Sequence, residues 1–252
     1  MIDPLAAEPM AYKILSPLNL YDSPACDRLA TQAAPGRQLR ILPTVSDPAA
    51  SEIIQDHPSS GGAATPTAIA VQLSEDDYSG WLHRDDWSRL EPTTLTYEAP
   101  LLSLAAIQAR LPGAIAVAEA AMTQPNVYLW GGTLGPNYDC SGLIQAAFAA
   151  VGIWLPRDAY QQEAFVSQIL ASDLQPGDLV FFGTPVKATH VGLYLGGGCY
   201  IHSSGQEQGH NGIGIDQLSP TSDGVSQVYY QQLRGYGRVI ASYQPQTPAS
   251  WS

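Results

Sequence analysis

The residue with the most chemistry to offer is Cys140, in the stretch Tyr138-Asp139-Cys140-Ser141-Gly142-Leu143-Ile144. It follows the turn-rich run Gly131-Gly132-Thr133-Leu134-Gly135-Pro136-Asn137. After it, Leu143, Ile144, Ala147, Phe148 and Val151 recur at helical spacing, which marks one apolar face of a helix. Cys140 is therefore expected in the first turn of that helix, where free backbone N–H groups and the positive end of the dipole favour a thiolate. A thiolate is the nucleophilic form of cysteine, so the chemistry this position could do is covalent catalysis at a carbonyl. A buried, inert thiol is the other reading of a single cysteine.

Two histidines further along give the thiol a base. Thr189-His190-Val191-Gly192-Leu193-Tyr194-Leu195-Gly196 alternates as a strand does, and Cys199-Tyr200-Ile201-His202-Ser203-Ser204 forms a second strand after a Gly196-Gly197-Gly198 turn. In such a hairpin His190 and His202 can meet across the ladder. One imidazole would take the thiol proton and the other would hold it in the right tautomer.

These residues, in this order, resemble the NlpC family of bacterial cell-wall cysteine peptidases. The resemblance rests on Tyr128-Leu129-Trp130-Gly131-Gly132, Tyr138 to Leu143, Pro156-Arg157, Leu174 to Phe182, His190 to Tyr194, and Tyr200-Ile201-His202, and covers roughly residues 105–241. It implies a papain-like fold with Cys140 as nucleophile, His190 as base and His202 as its orienting partner. It also implies that the Tyr128 hydroxyl joins the Cys140 N–H in stabilising the tetrahedral oxyanion. The substrate it implies is a peptidoglycan stem peptide cut between γ-D-Glu and a diamino acid. In similar enzymes with an N-terminal SH3-like barrel, the free amine of the substrate's L-Ala is bound by residues corresponding to Asp139, Ser141 and a barrel tyrosine, here Tyr78. Asp139 could equally be a helix cap. Arg157 and Asp158 could line the cleft or be structural. Other functions open to the same residues are a catalytically silent peptidoglycan-binding module and a thiol acyltransferase.

The whole chain is 252 residues long, 45% hydrophobic, with net charge −12 and only 11 basic residues. That length allows one large domain or two small ones. That charge argues against nucleic acid as a partner. Three cysteines without paired spacing do not make a disulfide framework. The first residues, Met1 to Pro9, are neither basic nor continuously apolar, unlike a secretory signal. No apolar run in the sequence reaches membrane-spanning length. The expectation is a cytoplasmic protein with no membrane partner, taking free murein peptides.

The elements that must position the site are expected in two blocks. Residues 1–90 read as a small all-β barrel, with strands at Tyr12–Leu15, Leu18–Tyr21, Gln38–Leu42, Ala68–Leu73 and Tyr78–His83, and resemble a bacterial SH3-like domain through Leu18-Asn19-Leu20-Tyr21, Gly80-Trp81-Leu82 and the run to Trp87. A long Pro/Ser/Ala/Gly loop near 44–67 interrupts it. Residues 91–100 read as a linker. Residues 101–252 read as an α+β domain, with helices at 101–110 and 114–122 broken by Pro112-Gly113, the Cys140 helix closed at Gly152, a helix over 157–170, and then a mainly antiparallel sheet ending at Tyr236–Ile240. No cofactor is expected. A zinc site built from Cys140, Cys199, His190 and His202 is rejected because Cys199 and His202 point to opposite faces of one strand. Cys199 is expected to be a packed thiol, Cys26 a bystander, and His57, His83 and His210 surface residues.

Overall fold

The computed structural model describes residues 11–42 and 67–246. The loop expected near 44–67 and its His57 lie outside the described residues, Thr67 excepted. The described residues divide into two compact units. One runs to Ser74 and over Tyr78–Tyr97; the other comprises Glu75–Asp77 and the chain from Glu98 on.

The first unit is all β. Its strands are β1 (Ala11–Ile14), β2 (Leu18–Tyr21), β3 (Leu29–Ala33), β4 (Gln38–Ile41), β5 (Ala68–Leu73), β6 (Ser79–His83) and β7 (Leu90–Thr93). They form one antiparallel sheet in the order β3-β2-β6-β5-β4-β1-β7. Alternation buries Ile69, Val71 and Leu73 of β5 with Ile14, Leu18, Leu20, Leu39 and Leu82. Two strands differ from the sequence expectation. Leu-Ala-Thr-Gln-Ala of β3 alternates too weakly to stand out. β7 takes up the start of the expected linker, pairing Pro92 with Tyr12. Proline is tolerated there because β7 is an edge strand and needs no donor on its outer side.

The second unit is α+β. Helix α1 (Leu104–Met122) precedes α2 (Cys140–Ala150) and the short α3 (Ala159–Phe165). Strands β8 (Ser167–Ile169), β9 (Leu179–Gly183), β10 (Ala188–Gly196), β11 (Cys199–Ser204), β12 (Gly212–Gln217) and β13 (Leu233–Arg238) follow, with α4 (Gly224–Tyr230) before the last. The sheet order is β12-β11-β10-β9-β13-β8. Its central strand β9 reads Leu-Val-Phe-Phe because both faces are covered. Leu179 and Phe181 face the cluster that holds Ile144 and Phe148 of α2. Val180 and Phe182 face a second cluster with Tyr200 and Tyr229. Phe148 and Phe181 are fully buried; truncating either to alanine costs about 3–5 kcal/mol.

Helix α1 corrects the break expected at Pro112-Gly113. It is continuous, and by length and composition it is long and apolar enough to cross a membrane. Its stripe of Ile107, Leu111, Ala114 and Ala118 is nonetheless buried in the same cluster as α2. A Cβ at Gly113 would stand 3.0 Å from Val151, so glycine lets the helices approach. Arg110 then donates to the carbonyls of Val151 and Gly152, closing the C-terminus of α2. Gly152 takes φ +75°, the left-handed cap expected there. The helix expected over 157–170 is shorter, because Val166 turns extended and residues 167–169 pair with β13.

Candidate active site

Cys140 opens α2, with Asp139 as its N-cap. One Asp139 oxygen accepts from the Gly142 N–H at 2.7 Å and the other from the Gly131 N–H at 2.8 Å. Arg157 grips both oxygens, at 3.1 and 2.6 Å, and also donates to Ser141 Oγ at 2.9 Å. The Arg157 side chain is 1% exposed and that of Asp139 10%. A Cβ on Gly142 would lie 2.0 Å from the Gly132 carbonyl, so only glycine lets the preceding loop pack on this turn. The carboxylate that was a candidate for binding a substrate amine is thus already matched by a guanidinium and two backbone donors. Ser141 is buried in the same network.

The thiol differs from expectation. Cys140 is 6% exposed. Burial, and next the Asp139 charge, push its pKa up to about 12. The backbone N–H groups of Val191 and Ser141, which donate to the sulfur, and the nearby Arg157 oppose that rise without cancelling it. These effects favour the thiol over the thiolate that the helix dipole predicts. Its neighbour Val191 matters for another reason: the thiol lies against the strand backbone directly beside His190. The ladder between β10 and β11 begins only at Leu193↔Ile201, leaving the Val191 N–H clear of it and available to sulfur.

The two histidines meet as expected. The β10–β11 register, carried one pair beyond Leu193↔Ile201, sets Gly192 beside His202, so His190 is its diagonal neighbour. His190 Nε2 lies 2.7 Å from His202 Nδ1. Gly192 permits this packing, since a Cβ there would stand 2.5 Å from the Tyr200 ring. Burial is the main cause holding both imidazoles below their usual pKa, well below for His190. A neutral His190 with Nε2–H donating to His202 keeps its Nδ1 lone pair for a proton. That is the state a general base needs.

Three residues complete the arrangement that sequence reasoning left out. His202 Nε2 lies 2.7 Å from Asp216 Oδ2 on β12. Ser226 Oγ on α4 donates to the other Asp216 oxygen at 2.6 Å. Burial raises the Asp216 pKa, but the hydrogen bonds from His202, Ser226 and His210 outweigh it and hold the carboxyl well below its usual range. Tyr229, also on α4, stacks on His190 with ring centroids 4.1 Å apart and an interplanar angle of 24°. Burial and then the Cys140 sulfur raise its pKa, as they do that of Tyr128. Both phenols are therefore close enough to the sulfur for its charge to act on them.

His210 is exposed, as expected of a surface residue, but it is not apart from the site: its Nε2 lies 2.8 Å from the same Asp216 oxygen that His202 contacts. His83 belongs to the first unit, where it caps a short 3-10 helix over Arg84–Arg89 by accepting from the Asp85 N–H. Tyr78 also belongs to that unit, on the turn before β6, half-buried against its core. Cys26 and Cys199 are partly exposed free thiols. Asp158 starts α3, its N–H donating to Gln161 Oε1 at 3.0 Å. Burial is the largest cause raising its pKa.

Residues 125–234 match the NlpC/P60 family. The "Probable endopeptidase p60" of Listeria seeligeri is 37% identical over 123 residues, covering 49% of this chain and 21% of that protein. A probable endopeptidase of Mycobacterium tuberculosis is 42% identical over 90 residues, covering 35% of this chain and 23% of that protein. The matched part thus spans about a fifth of the length of these relatives. Among solved structures, an NlpC/P60 family protein from Bacillus cereus superposes with a TM-score of 0.45 at 20% identity, covering 92% of this chain and 64% of that one.

Proposed function

We propose that this chain, which carries an NlpC/P60 domain, is a cysteine endopeptidase acting on peptidoglycan stem peptides at the bond between γ-D-Glu and a diamino acid. The observation that carries the reading is the line His190–His202–Asp216, closed by two 2.7 Å contacts and set beside the Cys140 sulfur through Val191.

The chemistry follows from the protonation states. His190 Nδ1 takes the Cys140 proton as sulfur attacks the γ-carbonyl of D-Glu, forming the C–S bond. The carbonyl becomes an oxyanion facing the Cys140 N–H, one of the orphan donors of a helix start, and the Tyr128 hydroxyl. The imidazolium that forms is stabilised through His202 by the Asp216 carboxylate. It then returns the proton to the leaving amine of the diamino acid as the C–N bond breaks. Water, deprotonated by His190, opens the thioester and frees the D-Glu carboxylate.

For the substrate amine we favour a different carboxylate from Asp139. With Asp139 neutralised by Arg157, we assign the counter-charge for an L-Ala ammonium to Asp158. Burial raises that carboxyl, so its ionised form gains from an added cation.

The test is mass spectrometry of purified protein with L-Ala-γ-D-Glu-diaminopimelate. L-Ala-D-Glu and free diaminopimelate are expected, and neither should form with Cys140→Ala. Uncut peptide under native conditions, or equal cutting by the alanine variant, overturns the reading. Running the N-acetylated peptide alongside checks Asp158: equal cleavage of both peptides removes that assignment.

A further inference from the structure

We propose that His202, His210 and Asp216 form a binding site for a zinc-like divalent transition-metal cation, and that the bound cation switches the site off. The ligand atoms of these three side chains all lie within 4.8 Å of one another. His202 Nε2 and His210 Nε2 approach the same oxygen, Asp216 Oδ2, at 2.7 and 2.8 Å. Two imidazoles and a carboxylate are three of the four ligands of a tetrahedral zinc site, and they favour zinc, copper or nickel over magnesium or calcium.

The surroundings are those of a built site. Ser226 holds the second Asp216 oxygen at 2.6 Å, the kind of outer hydrogen bond that orients a metal-binding carboxylate. His202 is fully buried and Asp216 nearly so, while the His210 side chain is 31% exposed. His210 thus supplies both a ligand and the side of the site open to solvent. Its placement depends on a missing side chain. A Cβ on Gly214, which pairs with His202 across the ladder, would stand 2.7 Å from the His210 ring.

The consequence for catalysis follows from proton positions and rests on the peptidase reading above. A base at His190 needs its proton on Nε2, donated to His202 Nδ1, with the His202 proton on Nε2. A cation on His202 Nε2 moves that proton to Nδ1. His202 Nδ1–H must then donate to His190 Nε2, and the His190 proton moves to Nδ1, the nitrogen that would accept from the thiol. Each ring keeps one proton and no oxidation state changes. The base is lost although the nucleophile is untouched.

The test starts with zinc chloride titrated calorimetrically into the Cys140→Ala protein, which removes the thiol as a competing ligand. One bound zinc per chain is expected, with affinity at least tenfold weaker when His210→Ala is added. His210→Gln serves as a second variant, and thermal unfolding in EDTA verifies that each is folded. Absence of zinc binding to the Cys140→Ala protein overturns the proposal, as does an affinity indifferent to both His210 substitutions. These results do not depend on the peptide, so they stand apart from the peptidase reading. In the thiol-bearing protein, zinc should stop peptide cleavage, and His210→Ala should raise the half-inhibitory concentration at least tenfold relative to that variant's own metal-free rate. Inhibition unchanged by His210→Ala places zinc on the thiol and overturns the switch.

Discussion

Replacing Asp216 by asparagine isolates the charge at the far end of the histidine line. The shape survives. The amide oxygen can take the place of Oδ2 beside His202 and His210, and the amide NH2 can donate to Ser226 Oγ, which now donates to the other carboxylate oxygen at 2.6 Å. What disappears is a negative charge facing the imidazolium that His190 becomes during attack. The ring centroids of His190 and His202 are 4.9 Å apart, and Asp216 lies 2.7 Å beyond His202 Nε2. A separation on the order of 8 Å and an effective dielectric near 20 give about 2 kcal/mol of attraction. Lost from the transition state, that lowers kcat/KM roughly 30-fold. The loss should fall mainly on kcat, since the charge on His190 exists only during reaction. Continuous assay of diaminopimelate release, with circular dichroism as a fold control, reads it. A folded Asp216→Asn protein within about threefold of native kcat/KM would show that the carboxylate merely packs against His202, and the electrostatic argument fails.

Three further outcomes follow from the same geometry. The alkylation rate of Cys140 by iodoacetamide should rise continuously between pH 6 and 9, because the resting group is a thiol pushed up to about 12; a plateau reaching below pH 6 would mean a standing thiolate–imidazolium pair instead. Arg157→Met should destabilise the fold by about 3–5 kcal/mol in urea titration, since it strands a buried Asp139 carboxylate; a loss under about 1 kcal/mol contradicts the ion-pair account. His190 and His202 have folded pKa values below the unfolded value. Their contribution to stability is therefore full above the unfolded pKa and declines as pH falls below about 6.5, by about 1.4 kcal/mol per pH unit for each ring. His190→Gln should flatten that decline; an unchanged slope would mean that His190 is not held neutral.

Cys140 was legible because the sequence states its position locally: an Asp before it, small residues after it, then an apolar face at helical spacing. The histidine pair was legible because alternation and a three-glycine turn fix a hairpin. Asp216 and Tyr229 were not, and Arg157, noted beside Pro156, was not tied to Asp139. Arg157 meets Asp139 across 18 residues that include all of α2, and no local pattern announces that pairing. Tyr229 rides on a seven-residue helix, too short for periodicity to declare. Asp216 sits in Gly-Ile-Gly-Ile-Asp-Gln, which alternates as β12 does. Its role depends on a register that joins it to Tyr200 and Gly214 to His202, and only the folded sheet supplies that. The core strands of the first unit followed from alternation, whereas β7 hid behind Pro92.

The balance at the thiol is a matter of magnitudes. A helix N-terminus stabilises an adjacent anion by roughly 0.3–2 kcal/mol. A thiol pushed up to about 12 stands roughly 4 kcal/mol from an ordinary one. Burial and the Asp139 charge therefore override the dipole, and the Asp139–Arg157 pair, close to neutral as a unit, cannot restore it. A nucleophile held this way is not activated in advance. It needs a base already deprotonated beside it, and burial keeps His190 neutral for that purpose. The two perturbations fit together: the low-dielectric setting that suppresses the thiolate also suppresses the competing imidazolium. Charge separation is thereby deferred to the moment of attack, when the oxyanion donors and the Asp216 carboxylate act on it. In the proposed mechanism it is the donors around Cys140, rather than the resting charge of its sulfur, that stabilise the attack.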